Sequence, residues 1–128
     1  MTAVAPTQAT ALPTYLATLD ASALDVLPLL APGFTFSVLW SDEEGAKEFG
    51  GGLDELRDYL ARRDPHGHVH HVLGAVRFGS TELLFGRTTR HGEPLATFVN
   101  AAEIDEQGRL KNLFGARTTS LALGDIPV

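Results

Sequence analysis

Cysteine is absent from this sequence of 128 residues. Disulfide bonds, zinc sites with thiolate ligands and thiol nucleophiles are therefore excluded. Basic residues are also scarce, with 10 Lys and Arg against 16 Asp and Glu, and the formal net charge is −6. Proteins that bind the negatively charged nucleic-acid backbone usually carry a dense cluster of Lys and Arg. The longest basic run in this sequence is Arg62-Arg63. We therefore expect no nucleic-acid partner.

Long apolar runs are missing too. No stretch approaches the ~18 residues of a membrane span, and the first residues lack the positive charge of a secretory signal. These absences predict a cytoplasmic protein without a membrane partner. The length and the 44% hydrophobic content fit one globular domain. We expect a flexible arm over residues 1–9, the domain over residues 10–120 and a tail over residues 121–128.

Apolar residues recur with helical spacing in two segments. The first set consists of Leu12, Tyr15, Leu16 and Leu19. A short second helix is expected to follow it and to end near Pro32-Gly33. The second apolar set consists of Leu53, Leu56, Tyr59 and Leu60. The acidic Asp54 and Glu55 suit the first turn of this third predicted helix.

Aromatic and β-branched residues predict the strands. One strand is expected over residues 34–40, and a short strand that runs back along it is expected over residues 46–49. Four more are expected over residues 68–78, 81–90, 94–105 and 109–119. Short turns join the last four, which predicts an antiparallel meander.

The strand from Leu95 to Ile104 is apolar on both faces. A sheet that is covered by helices on one side only should have a polar outer face. Because this strand is apolar on both faces, we expect something to pack on the outer face as well. The candidates are a partner subunit, which would make a homodimer through the outer sheet face, and the tail from Leu121 to Val128.

Five segments resemble, in order and spacing, the SnoaL-like branch of the nuclear transport factor 2-like superfamily over residues 12–119. They are Tyr15–Asp20, Leu29–Phe36, Gly52–Leu60, His70-His71-Val72-Leu73-Gly74 and Ile104–Leu110. The resemblance implies an α+β fold, in which a cone-shaped, curved antiparallel sheet carries three helices on its concave face and encloses a pocket. Members include ketosteroid isomerases, polyketide cyclases, dehydratases and epoxide hydrolases, together with binding modules without chemistry, so the fold alone does not decide function.

Tyr15 and Asn100 are candidate oxyanion donors. By the resemblance, Tyr15 matches the tyrosine that donates a hydrogen bond to the substrate in ketosteroid isomerases; the alternative is an ordinary core tyrosine. Asn100 lies among apolar strand residues, where an amide needs partners. Its position is similar to the oxyanion-hole aspartate of the isomerases and to a substrate-binding asparagine of scytalone dehydratase. The alternative is an asparagine satisfied by backbone or water.

His71 is the candidate general base. Its segment is similar to the one that holds the catalytic histidine of scytalone dehydratase, and imidazole suits proton transfer near neutral pH. Alternation along the strand places His70 and His71 on opposite faces, although a one-residue bulge would exchange them. A surface histidine is the alternative. His68 and His70 share a face, but no carboxylate or cysteine lies at ligand spacing, so no metal site is expected.

Arg87 is similar in position to a second catalytic histidine of the dehydratases. It is predicted to orient a substrate carboxylate or enolate, unless it pairs with Glu103 or Asp105 across the sheet. The other candidate substrate contacts are Phe36, Val38, Trp40 and Phe98. Val38 stands where ketosteroid isomerases carry their catalytic aspartate, which excludes a standard member of that class. Thr89 stands two residues after Arg87, where epoxide hydrolases need an aspartate.

The resemblance therefore implies an isomerase, cyclase or dehydratase (lyase) that needs no cofactor. Tyr15, His71 and Asn100 would be its catalytic residues. Its partner would be a small hydrophobic or carbonyl-bearing molecule, such as an enolisable or polyketide-like compound. One alternative is a ligand-binding or interaction module of the same fold. Another is a structural dimer domain whose pocket is filled by Phe36, Trp40 and Phe98.

Overall fold

The computed structural model describes residues 5–42, 44–63 and 67–126. The helices are α1 (Ala11–Ala21), a 3₁₀ helix (Ala23–Leu29) and α2 (Leu53–Arg62). The strands are β1 (Leu30–Asp42), β2 (Gly45–Gly51), β3 (His68–Phe78), β4 (Thr81–Arg90), β5 (Glu93–Glu103) and β6 (Leu110–Thr118). The predicted order of elements is confirmed. None of the described helices is long and apolar enough to cross a membrane.

One sheet contains all six strands, in the order β2-β1-β6-β5-β4-β3. Neighbouring strands are antiparallel except β1 and β6, which run parallel with Phe36 opposite Leu113. The expectation of a wholly antiparallel sheet is therefore wrong at this pair. No hairpin joins β1 to β6, so no turn dictates their relative direction, and the sheet is mixed.

The sheet curves around the helices. Its register shifts between Val72 and Gly74 on β3 and between Thr88 and Thr89 on β4. Such bulges bend a strand and increase its twist. The helices pack on the concave side around a core in which Leu12, Phe34 and Leu110 are almost fully buried. The α+β cone-like fold predicted from the sequence is confirmed.

A carboxylate from the sheet caps helix α1. The fully buried Glu82 accepts the backbone N–H of Leu12 at 2.8 Å and those of Thr10 and Ala11 at 3.3 Å. The Thr10 side chain makes no capping bond of its own. Glu82 therefore satisfies the open N–H groups of α1 and opposes the positive end of the helix. This contact holds α1, and with it Tyr15, over the sheet.

Both terminal segments are attached to the sheet. The backbone of Thr7 exchanges hydrogen bonds of 2.8 and 2.9 Å with that of Arg77, and Ala9 is buried. The segment expected to be a flexible arm therefore pairs with β3 at Thr7, while residues 1–4 lie outside the described residues. In the tail, the carbonyl of Leu121 accepts the Thr97 hydroxyl and that of Gly124 accepts Arg87. The tail thus covers one end of the outer face.

The rest of the outer face is apolar and open. Phe85, Val99 and Phe114 are 37%, 41% and 44% exposed. Phe85 is opposite Val99, and Phe114 is opposite the neighbouring Ala101. Contiguous exposed apolar residues of this kind mark contact surfaces, whereas scattered ones do not.

Candidate functional site

A cavity of about 540 Å³ lies between the helices and the concave face of the sheet. Its volume is in the range of pockets that hold small organic molecules. Both helices α1 and α2 and all six strands contribute to its wall. The lining residues are Tyr15, Leu16, Leu19, Phe36, Val38, Trp40, Phe49, Leu56, Tyr59, Arg63, His68, His70, Thr88, Phe98, Asn100, Leu113, Gly115, Ala116 and Arg117.

Most of the predicted site residues meet at this cavity. Two of them are the polar candidates Tyr15 and Asn100, which come from α1 and β5. Four more are the predicted substrate contacts Phe36, Val38, Trp40 and Phe98. These side chains form walls and leave the space open, as the observed volume shows. Val38 lines the cavity with methyl groups, which cannot move a proton.

His71 does not line the cavity, and its expected placement is wrong. Its Nε2 atom lies 3.0 Å from the hydroxyl of Thr89, on the outer side of the sheet. The bulge in β3 lies between Val72 and Gly74, beyond both histidines, so it does not exchange their faces. His70 lines the cavity together with His68, two residues earlier on the same face of the strand.

Arg87 also lies outside the cavity, so its expected placement is wrong. It is on the outer face, where its Nη1 atom donates to the Gly124 carbonyl at 3.0 Å. It pairs with neither predicted carboxylate, because Asp105 binds Arg109 and Glu103 binds Asn112. Arg87 instead ties the tail to the sheet.

His70 is held by a carboxylate that the sequence did not point to. The Nδ1 atom of His70 lies 2.7 Å from Asp20 Oδ1, and the backbone N–H of His70 donates to Asp20 Oδ2 at 2.7 Å. Asp20 lies at the end of α1, so helix and strand meet at this contact. The Phe98 ring contacts the imidazole edge-on, with ring centroids 5.1 Å apart. The imidazole is therefore fixed in position and orientation.

The Asp20 carboxylate is stabilised as an anion. Burial tends to raise its pKa, but the hydrogen bonds and charge of His70 and the charge of Arg63 together outweigh burial and lower it. The Arg63 guanidinium is 3.9 Å away, much farther than the His70 nitrogens. An ionised Asp20 accepts the Nδ1–H of His70, so the neutral form of the imidazole takes the tautomer with a bare Nε2. Nε2 is then a base that a ligand in the cavity can meet.

Tyr15 supplies a neutral hydroxyl. Burial raises the pKa of its phenol, the neighbouring Tyr59 raises it further, and Arg63 opposes the shift only in part. Tyr15 therefore stays protonated at physiological pH and can donate a hydrogen bond. Among the described residues, no group bonds to its hydroxyl.

The side-chain amide of Asn100 lies beside Gly115, its pairing partner on β6. A Cβ atom placed at Gly115 would lie 2.9 Å from Asn100 Oδ1 and 3.7 Å from a methyl group of Val38. The missing side chain at Gly115 therefore makes room for the amide at the cavity wall. Tyr15 from α1 and Asn100 from β5 are thus two uncharged donors at one cavity.

Sequence reasoning missed several polar residues of this site. Tyr59 lies on α2 and Arg63 caps the C-terminal end of that helix four positions later, and this helical spacing was a usable signal. Arg117 alternates inward with Leu113 and Gly115 on β6. Asp20 gave no signal, because its partner His70 is 50 residues away.

No family model and no curated protein matches this sequence. Solved structures do match. The proposed polyketide cyclase IdmH from Streptomyces antibioticus is 11% identical, with a TM-score of 0.64 over 84% of this chain and 88% of that one. A proposed isomerase of the SnoaL-like family from Agrobacterium tumefaciens is 18% identical, with a TM-score of 0.58 over 84% and 93%. A proposed ketosteroid isomerase from Kribbella flavida is 18% identical, with a TM-score of 0.59 over 92% and 81%.

Proposed function

Because the chain has the fold of SnoaL-like, nuclear transport factor 2-like proteins, we propose that it is a cofactor-independent isomerase, cyclase or dehydratase. Its reaction begins with abstraction of a proton next to a carbonyl group. The observation that carries this proposal is the contact of 2.7 Å between Asp20 and His70 at the wall of an open cavity. A ligand-binding module needs the cavity but has no use for an oriented base.

The proposed steps use only side chains at the cavity. His70 Nε2 takes the proton from the carbon next to the carbonyl, and the C–H electron pair moves onto the carbonyl oxygen to give an enolate. The imidazolium keeps its Nδ1–H on Asp20, which stabilises the new positive charge. Tyr15 and Asn100 donate hydrogen bonds to the enolate oxygen, and donors of this kind supply several kcal/mol each.

The enolate then has three outcomes. It can take the proton back from His70 at another carbon, which is isomerisation. It can attack a second carbonyl of the same molecule to form a ring, and the alkoxide produced there takes the proton from His70. It can expel a β-hydroxyl group, which leaves as water with the proton that His70 carries. The shape of the substrate selects among these reactions, and the common first step is the one to test.

Deuterium exchange tests that first step directly. We expect the protein in D₂O to speed the exchange of the α-hydrogens of 2-tetralone, a two-ring enolisable ketone, as followed by proton NMR. His70→Gln should lower the enzymatic rate by ~10²–10⁴-fold. The control is His71→Gln, because the adjacent imidazole lies on the other side of the sheet. Exchange that survives His70→Gln, or binding of 2-tetralone by the wild-type protein without exchange, would contradict the proposal.

We further propose that a second copy of the chain covers the outer face. The described part of the tail, up to residue 126, bonds to Thr97 and Arg87, and Phe85, Val99 and Phe114 remain exposed. Light scattering should give a dimer for the wild-type protein and a monomer for Phe114→Glu. Leu24→Glu, at a residue 48% exposed on the 3₁₀ helix, is the matched control and should stay dimeric. A monomeric wild-type protein would overturn this proposal.

A further inference from the structure

The charges at the cavity are of one sign. Its lining includes the guanidinium groups of Arg63 and Arg117, and among the described residues it includes no aspartate or glutamate. The chain as a whole has an excess of acidic residues, with a formal net charge of −6. The positive lining therefore differs in sign from the protein that surrounds it. A low-dielectric cleft with one sign of charge concentrates ligands of the opposite sign.

Arg117 lies at the mouth of the cavity. It is solvent-exposed and stands beside Trp40 in the parallel pairing of β1 and β6. Within the described part of the chain, no carboxylate pairs with it. A shallower depression continues outward from Trp40 and Arg117 across Lys47. The guanidinium of Arg117 thus lies where a ligand enters, and no carboxylate among the described side chains compensates its charge.

Arg63 carries the positive potential inward, next to an uncharged His68. The Arg63 side chain is 11% exposed, donates to the Leu19 carbonyl at 3.2 Å and has Asp20 only at 3.9 Å. That single carboxylate is already engaged by two nitrogens of His70. The buried Nδ1 of His68 has no hydrogen-bond partner among the described residues. Burial lowers the pKa of His68, and the charges of Arg63, Arg90 and Arg117 lower it further.

We propose that the substrate is an organic carboxylate, whose anionic group binds at the end of the cavity formed by Arg63, His68 and Arg117. This inference rests on the proposed function and names its substrate class. The carboxylate would accept hydrogen bonds from the guanidinium groups. The apolar part of the molecule would lie against Phe36, Trp40 and Phe98, which places an enolisable carbon toward His70.

A matched pair of ligands tests the charge alone. 2-Naphthoate and 2-naphthamide have the same rings and differ in charge. Trp40 is the one tryptophan of the chain and lines the cavity, so its fluorescence reports occupancy. We expect the wild-type protein to bind naphthoate about tenfold more tightly than naphthamide at low ionic strength. Added salt should weaken the binding of naphthoate and leave that of naphthamide unchanged.

Single substitutions identify which guanidinium groups cause the preference for naphthoate. Arg117→Gln should reduce the preference for naphthoate to about threefold or less, because it removes an exposed positive charge at the mouth. Arg57→Gln removes an exposed guanidinium on α2 that does not line the cavity, and it should keep the full preference. Equal affinity for the two ligands, or a preference that survives both Arg117→Gln and Arg63→Gln, would overturn this inference and leave His70 as the base. Binding of neither ligand would count against the cavity as a ring-binding site, and so against both proposals.

Discussion

Asp20 and His70 lie 50 residues apart in the chain and are joined by two hydrogen bonds of 2.7 Å. The two carboxylate oxygens accept two different N–H groups of the same histidine, one from the ring and one from the backbone. An asparagine has only one acceptor oxygen, so it cannot reproduce both bonds. Asp20→Asn should therefore lower the rate of α-hydrogen exchange by about 10- to 100-fold, as expected when the partner of a functional imidazole is lost. A rate equal to that of the wild-type protein would show that the carboxylate does not orient the base.

The same carboxylate should make folding stability depend on pH. Its pKa is lowered in the folded protein, so the ionised form is favoured by folding. The stability that it contributes is present above the pKa of the unfolded chain, about 3.9, and is lost as the pH falls through the lower folded value. The difference in unfolding free energy between wild-type protein and Asp20→Asn should be largest near neutral pH and shrink toward strong acid. Urea titrations at a series of pH values measure it, and a difference that grows on acidification would contradict this assignment.

Tyr15→Phe should lower the rate of α-hydrogen exchange without destabilising the fold. The hydroxyl has no partner among the described residues, so its removal should leave the melting temperature nearly unchanged. Loss of an oxyanion donor should reduce exchange by ~10²–10³-fold. Because the pKa of this phenol is raised by burial, its ionisation should add no inflection to the rate near neutral pH. An unchanged exchange rate would remove Tyr15 from the mechanism.

Glu82 should be one of the most sensitive charged positions of the fold. It is fully buried and accepts three backbone N–H groups at the start of α1. Glu82→Gln would replace one acceptor by a donor there, at a cost of about 1–3 kcal/mol in unfolding free energy. Glu93→Gln, at an exposed carboxylate in β5, should cost almost nothing. Urea denaturation of both variants tests this, and equal stabilities would show that α1 does not need the cap.

The fold could be predicted from the sequence because its signals are local. Helical spacing located α1 and α2, and short turns located the strands from β3 to β6. The parallel pairing of β1 with β6 depends on contacts between distant parts of the chain, and no local pattern encodes it.

The site was predictable only in part, for the same reason. Tyr15 and Asn100 stand out as polar residues among apolar neighbours. The choice between His70 and His71 was not decidable from alternation, because Val69 and Leu73 lie in phase with His71 while Val72 lies in phase with His70. The partner that fixes His70 comes from another element, and so do the contacts that take Arg87 to the tail.

The protonation state of the His70 ring is the most direct test of the central claim, because it requires no substrate. A long-range proton–nitrogen NMR spectrum at mildly alkaline pH, assigned with His70→Gln, distinguishes the two ring nitrogens. We predict a proton on Nδ1, held by Asp20, and a bare Nε2 facing the cavity, with this preference lost in Asp20→Asn. A proton on Nε2 in the wild-type protein would mean that His70 cannot act as the base, and the proposed chemistry would be wrong.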